Sequence, residues 1–142
     1  SVPARATLAQ ADEMVFRHAG WIEQRVQAAQ SRPQEPLPDK AAALERFTRV
    51  SEQYFPLFEQ VLNGQRPELN VRDMTTRWGV CAPGKRRITL NLRLAARPQE
   101  QVEYVVLHEY CHFVHPNHQA EFWALMTRLM PDWKQRRKAL RE

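Results

Sequence analysis

The chain has 142 residues, of which 43% are hydrophobic and 26% are charged, and its formal net charge at pH 7 is +5. This length suits one domain, and the hydrophobic fraction is high enough to bury a core, which excludes a disordered chain. No apolar stretch is long enough to cross a bilayer and no secretory leader is visible, so a membrane protein is not expected. The only two cysteines, Cys81 and Cys111, cannot build a disulfide framework. We therefore expect a cytoplasmic protein in which both are small buried residues.

The N-terminal part of the chain predicts two helices separated by a stiff connector. Apolar residues at helical spacing predict the first helix over residues 8–29. Residues 31–39 contain three prolines and predict an extended connector. Asp39 then caps a second helix that reaches as far as Leu62, with Pro56 either kinking or splitting it.

The middle of the chain predicts a small antiparallel sheet. Apolar and polar residues alternate partly over residues 68–80 and strictly over residues 87–93. A turn at Pro83–Lys85 separates the two segments, so we expect them to pair antiparallel around it. Residues 65–142 then form an α+β core and residues 1–64 an N-terminal helical segment with its proline-rich connector, within one domain.

The strongest chemical signal is His108-Glu109-x-x-His112, inside a segment that holds four of the five histidines. Residues four apart on a helix lie on the same face, so His108 and His112 can hold one metal ion. Glu109 follows the first histidine and can act as general base toward a metal-bound water. The pattern predicts a catalytic metal site on a helix that follows Pro98 and ends near Val114.

A third ligand is expected, because a catalytic zinc ion usually has three protein ligands. His118 lies six residues after His112, which is the spacing of the long zincin motif, with Pro116-Asn117 replacing the usual glycine turn. His115 would serve if the helix continued, although the following proline disfavours that. Glu121 would give a site of two histidines and one carboxylate. We favour His118, and the other two stay open.

The positive charge is concentrated in residues 72–97, which contain seven basic residues and one acidic residue. Such a segment can bind nucleic acid or an acidic substrate, but more often it is a solvated face. The alternative function is therefore a zincin-fold binding module with structural zinc, which docks on nucleic acid or another acidic partner.

The last part of the chain predicts a further helix from about His118 to Pro131, followed by a short basic tail over residues 134–141. Several motifs now stand in one order along the sequence. They are Arg77-Trp78-Gly79-x-Cys81, Ile88-x-Leu90-Asn91-x-x-Leu94, the tract 104–112, Asn117-His118-x-x-Glu121-Phe122-Trp123 and Pro131-Asp132-Trp133. In these motifs the chain resembles the YgjP-type metal-dependent hydrolases, which are related to the SprT-like and WLM metallopeptidases.

This resemblance implies a minimal zincin-like metallopeptidase domain of the α+β class, helix-rich, with a small antiparallel sheet beside the metal helix. It implies His108, His112 and His118 as Zn²⁺ ligands and Glu109 as the catalytic acid and base. One departure is Tyr110, where the family usually has leucine. Members also usually carry an N-terminal strand-rich region with no counterpart here, so we expect a smaller sheet.

The sequence as a whole predicts a zinc-dependent metallopeptidase, a hydrolase acting on a protein or peptide substrate. Beside Glu109 as general base, the tetrahedral oxyanion needs a hydrogen-bond donor. Tyr104, Tyr110 and Asn117 are the weaker candidates for that donor.

Overall fold

A computed structural model describes residues 37–141, so the predicted helix over residues 8–29 and most of the proline-rich connector lie outside the described residues. The elements in chain order are α1 (Lys40–Phe58), β1 (Glu68–Arg72), β2 (Gly79–Ala82), β3 (Arg87–Asn91), α2 (Gln99–Cys111), α3 (Ala120–Leu129) and α4 (Trp133–Arg141). This is the predicted helix-rich α+β architecture. None of the helices within the described range combines the length and apolar character that a membrane span requires.

α1 begins at the predicted cap and is one continuous helix. The Asp39 carboxylate accepts a hydrogen bond from the backbone N–H of Ala42 at 2.9 Å. Pro56 lies in the last turn, and the helix ends two residues later instead of reaching residue 62. Gly64, at φ 74°, then closes the segment by donating its N–H to the Glu59 carbonyl at 2.8 Å. The proposed division of the chain at residue 64 stays a prediction.

The sheet is mixed, whereas the sequence predicted a purely antiparallel one. Its order is β1-β3-β2, with β2 antiparallel and β1 parallel to the central strand β3. The predicted turn becomes a short 3₁₀ helix, Pro83–Lys85, between β2 and β3. The predicted strand over residues 68–80 is two strands, which the loop 73–78 places on opposite edges of β3. Alternation along a strand shows which of its faces is buried, but it does not show in which direction the neighbouring strand runs. A parallel pair also needs a crossover connection, which the strand sequences themselves do not contain.

Asn91, fully buried at the end of β3, fixes the loop that leads into β2. Its side-chain amide donates to the carbonyls of Met74 at 2.9 Å and Arg77 at 2.7 Å. Its side-chain oxygen accepts from the backbone N–H of Arg93 at 3.0 Å. A buried amide with these partners holds the loop in one conformation, because any rearrangement leaves polar atoms unpaired. Asn91 thereby sets where β2 starts.

α2 is the central helix of the fold. Within residues 101–111 every residue except Glu103 is buried, and the helix packs against α1, α3, α4 and β2. Because its buried residues lie on every side of the helix, the rest of the fold encloses it. The helix ends at Cys111, three residues before the predicted end, and the chain continues as turns to Val114.

The predicted basic tail is instead the helix α4, which packs on α2. Arg136 bonds the carboxylates of Glu103 and Asp132, each at 3.1 Å. Trp133 and Leu140 are buried on the inner face of the helix. These two apolar residues are seven positions apart and form the buried face of an amphipathic helix, which the charge count alone did not indicate.

Candidate metal centre

Three histidines converge at the C-terminal end of α2. His108 lies in the last turn of α2, His112 follows one turn later as the residue that caps the helix, and His118 comes from the connection to α3. One ring nitrogen of each lies within 4.8 Å of the others. Nε2 of His108 and Nε2 of His118 are 3.2 Å apart. Within residues 37–141 this is the only group of three or more side chains that could share a metal ion.

The two alternative third ligands lie outside this group. α2 ends before Pro116, so His115 is not carried on a further helical turn beside His112. Glu121 is exposed in the first turn of α3. Because the chain turns back after the helix, it is His118 whose ring reaches the other two imidazoles.

The spacing of two of the nitrogens suits a tetrahedral ion. Two nitrogens bound to one zinc ion at 2.0–2.1 Å, with a tetrahedral angle between them, lie about 3.3 Å apart. The observed separation between His108 and His118 is 3.2 Å. Three imidazoles are a donor set that zinc and its neighbouring divalent ions accept, and they leave one coordination position open. The residues present therefore fit the metal that the sequence predicts.

Backbone carbonyls orient the His112 ring. Its Nδ1 lies 3.1 Å from the Pro116 carbonyl oxygen and 3.3 Å from that of His115. Carbonyl oxygens only accept hydrogen bonds, so Nδ1 carries the proton and Nε2 keeps its lone pair. Metal-binding histidines are commonly held in this way by an acceptor on the far ring nitrogen.

Burial keeps the three imidazoles neutral near pH 7. Desolvation lowers the pKa of His108 well below its usual value, and the neighbouring His112 and His118 lower it further. Burial likewise lowers the pKa of His118 to about 4. The pKa of His112 is lowered by burial although its carbonyl partners oppose the shift. Neutral rings have the lone pairs that a metal ion needs.

Glu109 is buried on the side of α2 that faces the sheet. A methyl group added at Gly79, the first residue of β2, would lie 3.0 Å from Oε2 of Glu109 and 3.0 Å from Cγ1 of Val105. Glycine allows this approach of strand to helix, whereas a larger residue would force the Glu109 and Val105 side chains to shift. Glu109 and His112 form one wall of a cleft, and β2 forms the opposite wall. The carboxylate therefore shares this cleft with His112, one of the three converging histidines.

The sequence profile of the YgjP-like metallopeptidase domain matches residues 40–142. The chain belongs to this family. The resemblance inferred from the ordered motifs is thereby confirmed. Among curated proteins, no sequence matches the chain.

The fold is also that of a solved metallopeptidase. The crystal structure of the metallopeptidase zymogen of Pyrococcus abyssi, abylysin, aligns with a TM-score of 0.52 and 21% sequence identity. The alignment covers 66% of this chain and 87% of abylysin. At this identity the likeness establishes the fold alone, and it confirms the predicted α+β metallopeptidase architecture.

The two cysteines of this YgjP-like domain differ in position. Cys111 is fully buried, with its Sγ 3.5 Å from Sδ of Met126, as expected for a small core residue. Cys81 is only half-buried and lines the cleft beside Glu109. Burial raises the pKa of its thiol, and the carboxylate of Glu109 raises it further, so the thiol stays protonated.

The predicted oxyanion donors also occupy different environments. Tyr110 is fully buried and its hydroxyl pairs with Oγ of Ser51 at 2.6 Å, across the interface between α2 and α1. The Tyr104 ring is buried edge-on against His108, with centroids 5.8 Å apart. Asn117 is exposed. Tyr110 is therefore engaged in the core, and the donor role of the other two stays a prediction.

Much of the basic segment is bonded within the fold. Arg87 pairs with Glu68 at 3.2 Å, and Arg93 pairs with Asp73 at 3.0 Å. The Arg97 guanidinium donates to a glutamine side chain and to a backbone carbonyl of α4. These bonds account for part of the charge excess without a partner molecule, and nucleic-acid binding stays a prediction.

Gly79 and Phe122 belong to the site but were not predicted as site residues. Gly79 stands in the Arg77–Cys81 motif, which was used only to recognise the family. Phe122 lies on an apolar helical stripe, which is more often core than site. The sequence predicted a helix from about His118, on which Phe122 would lie one turn after that histidine. In the structure the helix begins only at Ala120, so the contact depends on the path of the connection.

Proposed function

We propose that this YgjP-like protein is a zinc-dependent metallopeptidase, in which His108, His112 and His118 hold the metal ion and Glu109 is the general base. The observation that carries the proposal is the convergence of three imidazole nitrogens within 4.8 Å, together with a buried carboxylate that shares a cleft with one of them, His112. A structural zinc site has no use for a carboxylate in that position. The arrangement therefore favours an enzyme over a binding module.

His108, His112 and His118 would hold a zinc ion, which would supply Lewis-acid polarisation of the scissile carbonyl and a lowered pKa for the attacking water. The Glu109 carboxylate accepts the proton from that water and delivers it to the leaving amine. The Nδ1–H group of His112 stays hydrogen-bonded to the Pro116 and His115 carbonyls throughout, so the ring orientation does not change during turnover. Burial of the carboxylate also keeps bulk water from competing for the proton.

The position of β2 supports an extended peptide as substrate. Within the described residues β2 pairs with β3 on one side only, and it forms a wall of the cleft that contains Glu109. An exposed strand edge can bind an extended peptide through backbone hydrogen bonds. A peptide added to β2 would pass its carbonyl groups in front of the histidines and the general base.

The cleft also favours a small, uncharged side chain next to the scissile bond. Its volume is about 80 Å³. An apolar cavity that admits benzene has about 150 Å³. The walls beside Glu109 and His112 are short or apolar residues, namely Gly79, Val80, Cys81, Pro83 and Pro116. A peptide library that varies this position should be cleaved best at alanine, serine or valine, and preferential cleavage at aromatic or basic residues would contradict this assignment.

Glu109→Gln tests the proposed function directly, because the amide keeps the shape of the side chain but cannot accept the proton. Cleavage of the library should fall by roughly 100-fold or more, the usual contribution of a general base. Bound zinc, measured by elemental mass spectrometry, should stay at one ion per chain. The matched control is Glu121→Gln, which changes an exposed glutamate outside the histidine group and should leave both values unchanged. Wild-type cleavage by Glu109→Gln would refute the mechanism.

A further inference from the structure

One aromatic ring contacts all three histidines. Phe122 of α3 is fully buried, and its ring centroid lies 4.9 Å from that of His108 and 4.8 Å from those of His112 and His118. A ring equally close to three imidazoles restricts the orientation of each of them. It also covers the protein side of the site with an apolar surface that water cannot enter.

The histidines differ in how their far nitrogens are held. His112 bonds backbone carbonyls through Nδ1. Nδ1 of His108 is buried and makes no hydrogen bond within residues 37–141. The orientation of His108 therefore depends on packing, chiefly against Phe122 and against the Tyr104 ring one turn earlier.

His118 depends on packing for a different reason. It lies in the connection between α2 and α3, so no helix fixes its backbone, and it is only half-buried. The indole of Trp123 lies nearly parallel to its ring, at a centroid distance of 5.7 Å and an interplanar angle of 25°. This stack, together with Phe122, limits the rotation of the imidazole.

Trp123 is in turn held by α4. The indole of Trp133 stacks on it at 4.5 Å and 23°, and the Arg137 guanidinium lies 5.4 Å from its ring centroid. Trp133 is fixed by a hydrogen bond of 2.9 Å from its Nε1 to Oγ1 of Thr127. A continuous stack therefore runs from α4 through Trp123 to His118.

We propose that Phe122 and Trp123 are positioning residues of the metal centre, and that Trp133 contributes to metal affinity through Trp123 although it touches no ligand. The physical reason is preorganisation, since rings already oriented lose less freedom when the ion binds. This inference rests on the proposed zinc site and adds its aromatic support. Loss of an outer partner of a metal ligand commonly weakens affinity by about 10- to 100-fold.

Phe122→Leu tests the first contact, with Phe47→Leu as the matched control. Both phenylalanines are fully buried, but Phe47 lies on α1, which supplies none of the three histidines. Zinc affinity is measured by competition with a chromophoric chelator, and stability by the thermal midpoint of the metal-free protein. Both variants should lose stability. Only Phe122→Leu should lose zinc affinity, by about 10-fold or more, with weaker ligand-field bands in its Co²⁺-loaded form.

Trp133→Leu tests the longer path. Zinc affinity should fall by several-fold and should be largely restored in Trp133→Phe, which keeps a ring on Trp123. Leu140→Ala, which removes a buried side chain of α4 outside the stack, should lower stability but not zinc affinity.

The outcomes separate this proposal from the proposed function. A wild-type protein that binds no zinc would refute both the proposed function and the positioning role. A wild-type protein that binds zinc, with unchanged affinity and Co²⁺ spectrum in Phe122→Leu and Trp133→Leu, would refute the positioning role alone. An equal loss of affinity in Phe47→Leu would also refute it, because the effect would then follow global stability.

Discussion

The two sides of α2 hold their functional groups by different means. On the side of the sheet, the strand backbone at Gly79 approaches Glu109 so closely that an added methyl group would lie only 3.0 Å from its carboxylate. On the side of α3, aromatic rings pack around His108, His112 and His118. α2 therefore carries the buried Glu109 carboxylate on the side of the sheet, and its C-terminal end places His108 and His112 on the aromatic side. Changes on the two sides should separate proton transfer from metal binding.

The largest effect is expected from a ligand on the aromatic side. His112→Ala should abolish stoichiometric zinc binding, because it removes one of three imidazoles together with its carbonyl anchor. His115→Ala is the matched control, since that ring lies outside the group. Elemental mass spectrometry of both variants decides the matter, and retention of zinc by His112→Ala would contradict the assignment.

The sheet side should respond in the opposite way. In Gly79→Ala the new methyl group lies 3.0 Å from the Glu109 carboxylate, which must shift by a few tenths of an ångström. A misplacement of about 1 Å can cost about 100-fold in rate, so this smaller shift should lower cleavage by less than that. Zinc content should not change. Gly84→Ala is the control, because a methyl group there meets nothing within 4 Å. If Gly79→Ala loses zinc as well as activity, the two sides are not independent.

A third face of α2, which packs on α1, should affect neither function. Tyr110→Phe removes a buried hydrogen bond to Ser51 and leaves that hydroxyl without its partner. The free energy of unfolding should fall by about 1–3 kcal/mol. Zinc affinity and cleavage rate should stay at wild-type values. Urea denaturation gives the first quantity, and a double variant with Ser51→Ala should lose little more than Tyr110→Phe alone.

The smallest effect concerns the pH dependence of the metal-free protein. Burial lowers the pKa of folded His118 from 6.5 to about 4, so between these values the unfolded chain binds more protons. The contribution of His118 to the free energy of unfolding is therefore fully present above about pH 6.5 and decreases as the pH falls toward 4. His118→Gln should lose less stability than wild type between pH 7 and pH 5. Equal losses in urea titrations would mean that His118 is not buried as a neutral ring.

Local features of the fold could be predicted from the sequence. The Asp39 cap, the turn at Pro83–Lys85 and the metal helix depend on residues a few positions apart. The histidine spacing also predicted the group that the structure brings together. The metal helix α2 ends three residues before its predicted end. The helix α4 was predicted only as a basic tail, because its nine residues are dominated by charge and only two of them are buried.

The remaining features depend on contacts between distant segments. The parallel pairing of β1 with β3 leaves no mark on the alternation of either strand. The role of Asn91 requires the loop between β1 and β2 to be in place. Phe122 has the same spacing as any core aromatic residue, and only the position of α3 shows that it meets three histidines. The residues with the relevant side-chain chemistry could be located from the sequence, but the residues that hold them in position could not.

The metal content of the wild-type chain, purified without chelator and then offered zinc, is the most direct test of the proposed zinc centre. We predict one zinc ion per chain by elemental mass spectrometry, with loss of that ion in His118→Ala. Absence of zinc after loading, or unchanged zinc in His118→Ala, would contradict the assignment of His108, His112 and His118 as one metal centre.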